Sequence, residues 1–279
     1  MPKKSPSCPS QTRARAQKHE TTRLIAEITV ALRALRLPTM RGLLEDVTRQ
    51  AEQGGWCRLR FLLSLLELEQ TERERRRTED RLRESKLPTD KTFSTYDLNW
   101  LPGSVCRDRI HALAQSTDWL DRGDNVLLFG GSGSGKSHLA SAIGHEMVRS
   151  GRRVLSASTS QMAQDLMAAA AEARLPAFLK KLDRFDLLIL EDFSYAHKDV
   201  SNTAPLFELI SERYEHRSIV ITANQTFSEW KHIFPDPAMT HAAVDRLVHR
   251  AVILNLGSES YRKQQAISRA EAGKPKSGK

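Results

Sequence analysis

The sequence predicts an α/β fold, in which a parallel five-stranded sheet is flanked by helices and preceded by a small all-α domain. Five short runs rich in valine, isoleucine and leucine have the length and composition of buried strands. They cover residues 125–129, 154–158, 186–190, 218–222 and 252–256. Helical patterns alternate with these runs, which is typical of a parallel sheet covered on both faces. A chain of 279 residues is long enough for this core and a smaller second domain.

Residues 24–90 are predicted to form the small helical domain. Apolar residues recur there at helical spacing in three segments, which are separated by Pro38 and by the Gly54-Gly55 pair. The three stripes are Leu24, Ile25, Ile28, Ala31, Leu32 and Leu35, then Leu43, Leu44, Val47 and Ala51, then Leu59, Leu62, Leu63 and Leu66. We expect these stripes to pack together as one core. Because the residue before a proline disfavours helix, Leu87-Pro88 marks a boundary, and the second domain is expected to span residues 91–261.

The net charge of +9 is concentrated at the two ends of the chain. Residues 1–23 and residues 262–279 each contain six basic residues and one acidic residue, so the rest of the chain is close to neutral. Both ends are interpreted as flexible basic tails. Two explanations stay open, because such tails can bind the phosphates of nucleic acid or can simply be disordered, solubilising ends.

The three cysteines predict a reducing environment. Cys8, Cys57 and Cys106 are odd in number and about fifty residues apart, which fits neither a disulfide framework nor a zinc site. The sequence also has no apolar stretch of the length that a signal peptide or a membrane span requires. We therefore expect a cytoplasmic protein that is neither exported nor inserted into a membrane.

The segment from Gly130 to Ser137 satisfies the phosphate-loop pattern G-x-x-x-x-G-K-[ST], between a predicted strand and a predicted helix. Its glycines allow backbone N–H groups to point at phosphates, and the helix that begins at Lys136 adds the positive end of its dipole. Lys136 is expected to reach the β- and γ-phosphates of ATP, and the Ser137 hydroxyl is expected to bind Mg²⁺, which prefers oxygen ligands. The predicted nucleotide-binding residues are Gly130, Gly131, Ser132, Gly133, Ser134, Gly135, Lys136, Ser137 and His138.

Two carboxylates follow the apolar run at 187–190. Glu191 and Asp192 stand at the carboxyl end of this predicted strand, which is the edge where ligands of parallel sheets bind. Both are predicted catalytic residues and Mg²⁺ ligands. The alternative is that the two acids merely begin a turn.

Taken together, these residues resemble the IstB-type transposition helper ATPases, which are AAA+ proteins related to the DnaC helicase loader. The resemblance covers residues 31–262. It is also carried by Leu35-Arg36-Leu37-Pro38-Thr39-Met40, Lys86-Leu87-Pro88, residues 206–214, Phe227-Ser228-Glu229-Trp230, residues 245–249 and Glu259-Ser260-Tyr261-Arg262. It implies an AAA+ fold without a C-terminal helical lid, because little chain follows Arg262.

The resemblance also implies roles for individual residues. Asn224 fits the position of a γ-phosphate sensor, although asparagine is also a common turn residue. Arg246 is a candidate arginine finger that acts on the nucleotide of a neighbouring subunit; the alternative is a surface arginine or a pair with Asp245. The order Glu191-Asp192 is the reverse of the usual one, so we expect Glu191 to reach Mg²⁺ through water, Asp192 to position the attacking water, and hydrolysis to be slow.

The function implied by the resemblance is an ATPase that uses ATP and Mg²⁺, assembles on double-stranded DNA as a homo-oligomer and recruits or stimulates a partner transposase. A helicase loader of the DnaC type and an ATP-switched DNA scaffold with little hydrolysis are the alternatives. By analogy alone, the adenine is expected near residues 118–124.

Overall fold

The computed structural model describes residues 9–101, 107–193, 203–224, 227, 230, 233–234, 236–261 and 264. By its internal contacts the chain divides into two compact units, one up to Arg77 and one from Thr78 onward. Of the described helices, none combines the length and the apolar character that crossing a membrane requires.

The described part of the first unit is helical. It contains α1 (Pro9–Ala34), α2 (Pro38–Gly54) and the first part of α3 (Arg58–Ser85). Residues 9–23 are therefore helical, whereas residues 1–8 lie outside the described residues. The flexible basic tail over residues 1–23 stays a prediction. Helix α2 begins at Pro38, whose fixed φ suits a first helical turn, and it ends at Gly55, which has a left-handed φ of 61°.

The core of this unit uses a different face of α3 from the one that the sequence predicts. Its buried residues are Leu32, Met40, Leu44, Val47 and Leu65, with Phe61 and Leu68 packed against them. The predicted third stripe is exposed, and Leu59 at its start has 78% of its surface accessible, against 2% for Leu65. The prediction is wrong because α3 has leucines on two faces, and helical spacing alone cannot tell which face packs against the other helices.

Glu69 holds the start of α2 against α3. Its carboxylate is buried and accepts hydrogen bonds from the backbone N–H groups of Thr39 and Met40, at 2.9 and 3.0 Å. Arg73 Nε donates to the same carboxylate at 2.9 Å. Burial by itself raises the pKa of Glu69, but these hydrogen bonds outweigh it and leave the pKa below its usual value. Glu69 therefore stays ionised and satisfies N–H groups that have no partner within the helix.

The two faces of α3 are distinguished by truncating one leucine on each. Leu65→Ala should lower the free energy of unfolding by about 2–5 kcal/mol, because it leaves a cavity in the core. Leu59→Ala is the matched control and should change it by less than about 0.5 kcal/mol, because its side chain is exposed. Urea denaturation followed by far-ultraviolet circular dichroism measures both values. Equal losses for the two variants would contradict the packing of α3.

The second unit contains a parallel five-stranded sheet, as the sequence predicts. Its strands are β1 (Asn125–Phe129), β2 (Val154–Ser158), β3 (Leu187–Glu191), β4 (Ser218–Ala223) and β5 (Ala251–Asn255), in the order β2-β3-β4-β1-β5. The described helices are a 3-10 turn at Leu98–Trp100, α4 (Arg107–Gln115), α5 (Asp118–Asp121), α6 (Lys136–Arg149), α7 (Thr159–Ala171), α8 (Leu175–Leu182), α9 (Ala204–Arg213) and α10 (Pro237–Val248). The predicted strand limits agree with these to within one residue. The predicted fold class is confirmed.

Helices cover both faces of this sheet, and the strands alternate their side chains between the two layers. On one face, Val126, Leu128 and Ile189 pack with Leu139 and Ile143 of α6. On the other face, α7, α9 and α10 supply the partners, and this core contains Leu127, Leu188, Leu190, Ile219, Ile221, Leu166, Leu206, Leu209 and Leu247. Burial on both faces explains why these strands are almost continuously apolar.

Residues 78–90 belong to the second unit. Leu87 is buried in the layer that contains α6, and His145 Nε2 of that helix donates to the backbone oxygen of Pro88 at 2.8 Å. The contact boundary therefore falls within α3, whereas the sequence predicts it after Asp90. The predicted limits of the domains as independent folding units stay a prediction.

Candidate functional site

The glycine-rich segment forms a tight loop between an inner strand of the sheet and a buried helix. It follows β1, which lies between β4 and β5, and it ends where α6 begins at Lys136. Gly133 and Gly135 have positive φ angles of 85° and 98°, which residues with a Cβ rarely adopt. A side chain at Gly135 would also meet the Tyr96 ring at 3.2 Å. The loop thus requires glycine for both backbone conformation and space.

The chain after β5 runs closely against this loop. The N–H of Gly131 donates to the oxygen of Gly257 at 2.8 Å, and the N–H of Tyr261 donates to the oxygen of Gly133 at 3.1 Å. A Cβ placed on Gly131 would lie 2.6 Å from the backbone oxygen of Ser258, which is closer than real contacts allow. The approach of these two backbones fixes the conformation of the loop.

The polar groups of the loop fit a phosphate chain. Lys136 is only 5% exposed, and its Nζ donates to the oxygens of Gly130 and Gly131, both at 2.8 Å. The Ser134 hydroxyl is buried and finds no hydrogen-bond partner among the described residues. The glycine backbone, the ammonium and the spare hydroxyl together form a cradle suited to an anion at the start of a helix.

Predicted residues from two neighbouring strands reach the same cavity, which has a volume of 480 Å³. Asp192 follows β3 and Asn224 follows β4, so both stand at the carboxyl edge of the sheet beside the loop. The backbone of Asp192 has a left-handed φ of 57°, and its N–H donates to Thr222 Oγ1 at 3.0 Å. The described lining residues are Lys91, Ser132, Gly133, Gly135, Lys136, Ser137, His138, Asp192, Asn224 and Tyr261.

Glu191 is not among the described residues that line this cavity. Its Oε1 lies 3.5 Å from the hydroxyl of Ser156 on β2, and its backbone oxygen accepts a hydrogen bond from Thr159 Oγ1 at 2.8 Å. Successive residues at a strand end point in different directions, so the two neighbouring acids have different surroundings. The structure therefore brings Asp192, but not Glu191, to the phosphate loop.

Arg246 lies elsewhere in the unit. Its guanidinium packs on the ring of Phe207, with Cζ 4.9 Å from the ring centre, and its Nη1 is buried without a hydrogen-bond partner among the described residues. It adjoins Asn125 at the start of β1, whereas the phosphate loop follows the end of that strand. Five residues of strand span about 16 Å, so Arg246 is not positioned to act on the nucleotide of its own chain.

Two residues that line the cavity, Lys91 and Tyr261, are not among those predicted from the sequence. Tyr261 stands within one of the segments that carry the family resemblance, so that resemblance was a signal for it. Lys91 gave no signal, because it lies 45 residues before Lys136 and only the tertiary fold brings it near. Residues 118–124, where the adenine was expected, lie instead at the start of β1, and four of them line a separate cavity of 510 Å³. The structure does not bring that segment to the loop.

The aromatic residues of another family segment serve the core. Trp230 is buried, and its ring centre lies 4.7 Å from that of Phe193. Phe227 packs edge-on against Phe129 at 4.8 Å, directly behind the phosphate loop. Ser228 and Glu229 lie outside the described residues.

The sheet is parallel, the phosphate loop follows its inner strand β1, and polar residues after the neighbouring strands stand at the same edge. These features define a P-loop nucleotide-binding protein of the AAA+ type. The chain belongs to the family described as IstB-like ATP binding protein, which matches residues 30–269. The predicted family is confirmed.

Individual relatives agree with this assignment. An insertion sequence ATP-binding protein of Sinorhizobium fredii is 47% identical over 251 residues, which cover 90% of this chain and 84% of the relative. The insertion sequence IS21 ATP-binding protein of Pseudomonas aeruginosa is 34% identical over 236 residues, which cover 85% of this chain and 88% of the relative. AMPPCP-bound DnaA from Aquifex aeolicus shares the fold with a TM-score of 0.51 at 17% identity, over 70% of this chain and 58% of that protein.

The close approach of the two backbones is tested by adding one methyl group to the loop. Gly131→Ala should destabilise the second unit by about 1–3 kcal/mol, because the new Cβ meets the oxygen of Ser258. Gly42→Ala in α2 is the control, and it should stabilise the chain by up to about 1 kcal/mol, since its Cβ meets nothing within 4 Å. Thermal unfolding gives both changes. A Gly131→Ala protein as stable as the wild type would show that the loop is free of this constraint.

Proposed function

We propose that this chain is a DNA-dependent ATPase that works with a transposase in DNA transposition. The observation that carries the proposal is the cavity in which the phosphate loop, Asp192 and Asn224 come together at one edge of the sheet. Relatives named as insertion sequence ATP-binding proteins support the link to transposition. A transposase gene directly upstream of the gene for this chain would favour the transposase over a replicative helicase as the partner.

The residues of the cavity suit the binding of ATP with Mg²⁺. The backbone N–H groups from Gly130 to Gly135 would hold the phosphates, Lys136 would neutralise the β- and γ-phosphates, and the first turn of α6 with His138 would complete the cradle. Ser137 and Asp192 offer the oxygen ligands that Mg²⁺ prefers. When bound, the metal neutralises the charge that develops on the transferred phosphoryl group.

Hydrolysis further requires a group that positions water. We assign this role to Asp192 and the sensing of the γ-phosphate to Asn224, because both residues line the cavity. Glu191, the other predicted metal ligand, would have to turn away from Ser156 and reach the metal through water. This position favours slow turnover, and it supports a second candidate function, an ATP-switched DNA scaffold with little hydrolysis.

Double-stranded DNA is proposed as the surface on which the protein assembles into a homo-oligomer. The net charge of +9 supports an anionic partner, because lysine and arginine side chains bind phosphates whatever the base sequence. The basic residues of the C-terminal end all lie outside the described residues; within residues 262–279 the structure describes Gln264 alone.

The proposed function is tested by nucleotide binding and ATP turnover with and without duplex DNA. Wild-type turnover should rise when DNA is added, and this stimulation should fall steeply as salt is raised, because binding to phosphates releases counterions. Lys136→Ala should lose nucleotide binding and turnover, whereas Lys180→Ala on the exposed side of α8 should lose neither.

Two results would contradict the proposal separately. If Lys136→Ala bound and hydrolysed ATP like the wild type, the phosphate-loop assignment would be wrong. If DNA did not change ATP turnover, and salt did not change the affinity for DNA, the chain would not be a DNA-dependent ATPase.

Arg246 is proposed to complete the site of a neighbouring subunit. Arg246 lies in the last turn of α10, far from the phosphate loop of its own chain. This position is compatible with a contact to the nucleotide of a neighbouring subunit. Its packing on Phe207 supports the plain alternative, so the two roles need a direct test.

Mixing two inactive variants separates these roles. Arg246→Ala should bind ATP nearly normally but hydrolyse it poorly, because an arginine finger stabilises the transition state rather than the bound nucleotide. Adding Lys136→Ala protein should restore part of the turnover, since an intact loop then meets an intact arginine. Failure of this rescue in mixtures that co-assemble, over a range of ratios, would favour a structural role within one chain.

A further inference from the structure

Residues 88–96, which we call the wall segment, contribute Lys91 to the lining of the nucleotide cavity and are attached to α6 by two histidines. His145 Nε2 donates to the oxygen of Pro88 at 2.8 Å, and His138 Nε2 donates to the oxygen of Thr92 at 3.0 Å. Because a carbonyl oxygen can only accept, both imidazoles carry a hydrogen on Nε2. His138 directly follows Ser137, so this wall segment is held at the first turn of α6.

The wall segment is also braced internally and against the loop. Thr95 Oγ1 donates to the oxygen of Asp90 at 2.6 Å, and the Tyr96 ring meets His138 edge-on at 5.1 Å. Burial, together with the nearby Asp97 carboxylate, raises the pKa of Tyr96 to about 12, so its phenol stays neutral. Residues before and after Lys91 in the sequence therefore make the contacts that hold the wall segment in place.

Lys91 is a second lysine that lines the cavity containing Lys136. Its side chain is half-buried, and no carboxylate of the described residues forms an ion pair with it. Among the described lining residues, Asp192 is the one carboxylate beside two lysines, so the cavity has an excess of positive charge. Two cations that share a partly buried cavity repel each other, and an anion bound between them offsets this repulsion.

We propose that Lys91 is a further nucleotide-binding residue, and that its ammonium neutralises the α-phosphate while Lys136 neutralises the β- and γ-phosphates. The two lysines approach the loop from different ends. Lys136 Nζ lies at the oxygens of Gly130 and Gly131, where the loop begins, whereas Lys91 is tethered through Thr92 to His138, where the loop ends. In phosphate loops the backbone holds the α- and β-phosphates and the loop lysine reaches the β- and γ-phosphates. This inference rests on the proposed ATP site.

Because ATP and ADP share the α-phosphate, Lys91 contributes equally to the binding of both nucleotides. A hydrogen bond to a charged group changes affinity by about tenfold to a hundredfold when its donor is removed. Arginine preserves the charge and lengthens the side chain only slightly, whereas methionine preserves most of the volume and removes the charge. A role through charge and a role through packing therefore give different results for these two substitutions.

The experiment is a titration of the full chain with fluorescent ATP and ADP analogues in the presence of Mg²⁺. Lys91→Met should weaken both analogues about tenfold to a hundredfold, and Lys91→Arg should remain within about threefold of the wild type. Lys180→Met, an exposed lysine on α8, is the matched control and should change neither affinity. The melting temperature without nucleotide should be no lower for Lys91→Met than for the wild type, because Lys91 forms no ion pair in the described part of the chain.

Three results would overturn the inference. Wild-type affinity in Lys91→Met would show that its ammonium does not touch the nucleotide. Loss of ATP binding with ADP binding intact would place the contact at the γ-phosphate instead. Equal losses in Lys91→Met and Lys91→Arg, together with a lower melting temperature, would assign Lys91 a structural role. Lys136→Ala in the same titration separates the two proposals: if it too binds normally, the ATP site itself is wrong.

Discussion

The close approach of residues 256–261 to the phosphate loop is the constraint on which the site depends. Hydrogen bonds from Leu256 to Phe129, from Gly131 to Gly257 and from Tyr261 to Gly133 join the end of β5 to the loop along its length. There is no space for a Cβ at Gly131, so the glycines of the motif serve backbone packing as well as anion binding. The last strand of the sheet therefore shapes a loop that lies more than 120 residues earlier in the chain.

The strand order decides which polar residues meet this loop. Because β1 lies beside β4, and β4 lies beside β3, the residues after these strands converge on one edge of the sheet. Asp192 and Asn224 are both brought to the cavity in this way. Glu191 precedes Asp192 by one residue, yet its carboxylate lies near Ser156 on β2. Two successive residues at the end of β3 therefore have different places: Asp192 lines the cavity, whereas Glu191 does not.

The N-terminal part of the molecule shows the same dependence on packing. Helix α3 has leucines on two faces, and the inward face is the one that also carries Glu69, whose carboxylate holds the N-terminus of α2. The first unit has an exposed apolar face, which is formed by Leu59, Leu62, Leu63 and Leu66. The last part of α3 and the residues after it join the second unit, where Lys91 reaches the nucleotide cavity.

The sequence by itself determined the fold class, the five strands, the phosphate loop from Gly130 to Ser137 and the family, because each of these depends on short-range patterns of residue type. It also predicted Glu191 and Asp192 at the carboxyl edge of the sheet, and the family resemblance added Asn224; of these three residues, Asp192 and Asn224 line the cavity. Only the tertiary structure decided that α3 packs by Leu65 rather than Leu59, that Glu191 lies outside the cavity and that Lys91 lies within it. These three features depend on which faces of the helices and strands pack together and on which distant segments of the chain come close. The spacing of residues along a single helix or strand does not encode either of these.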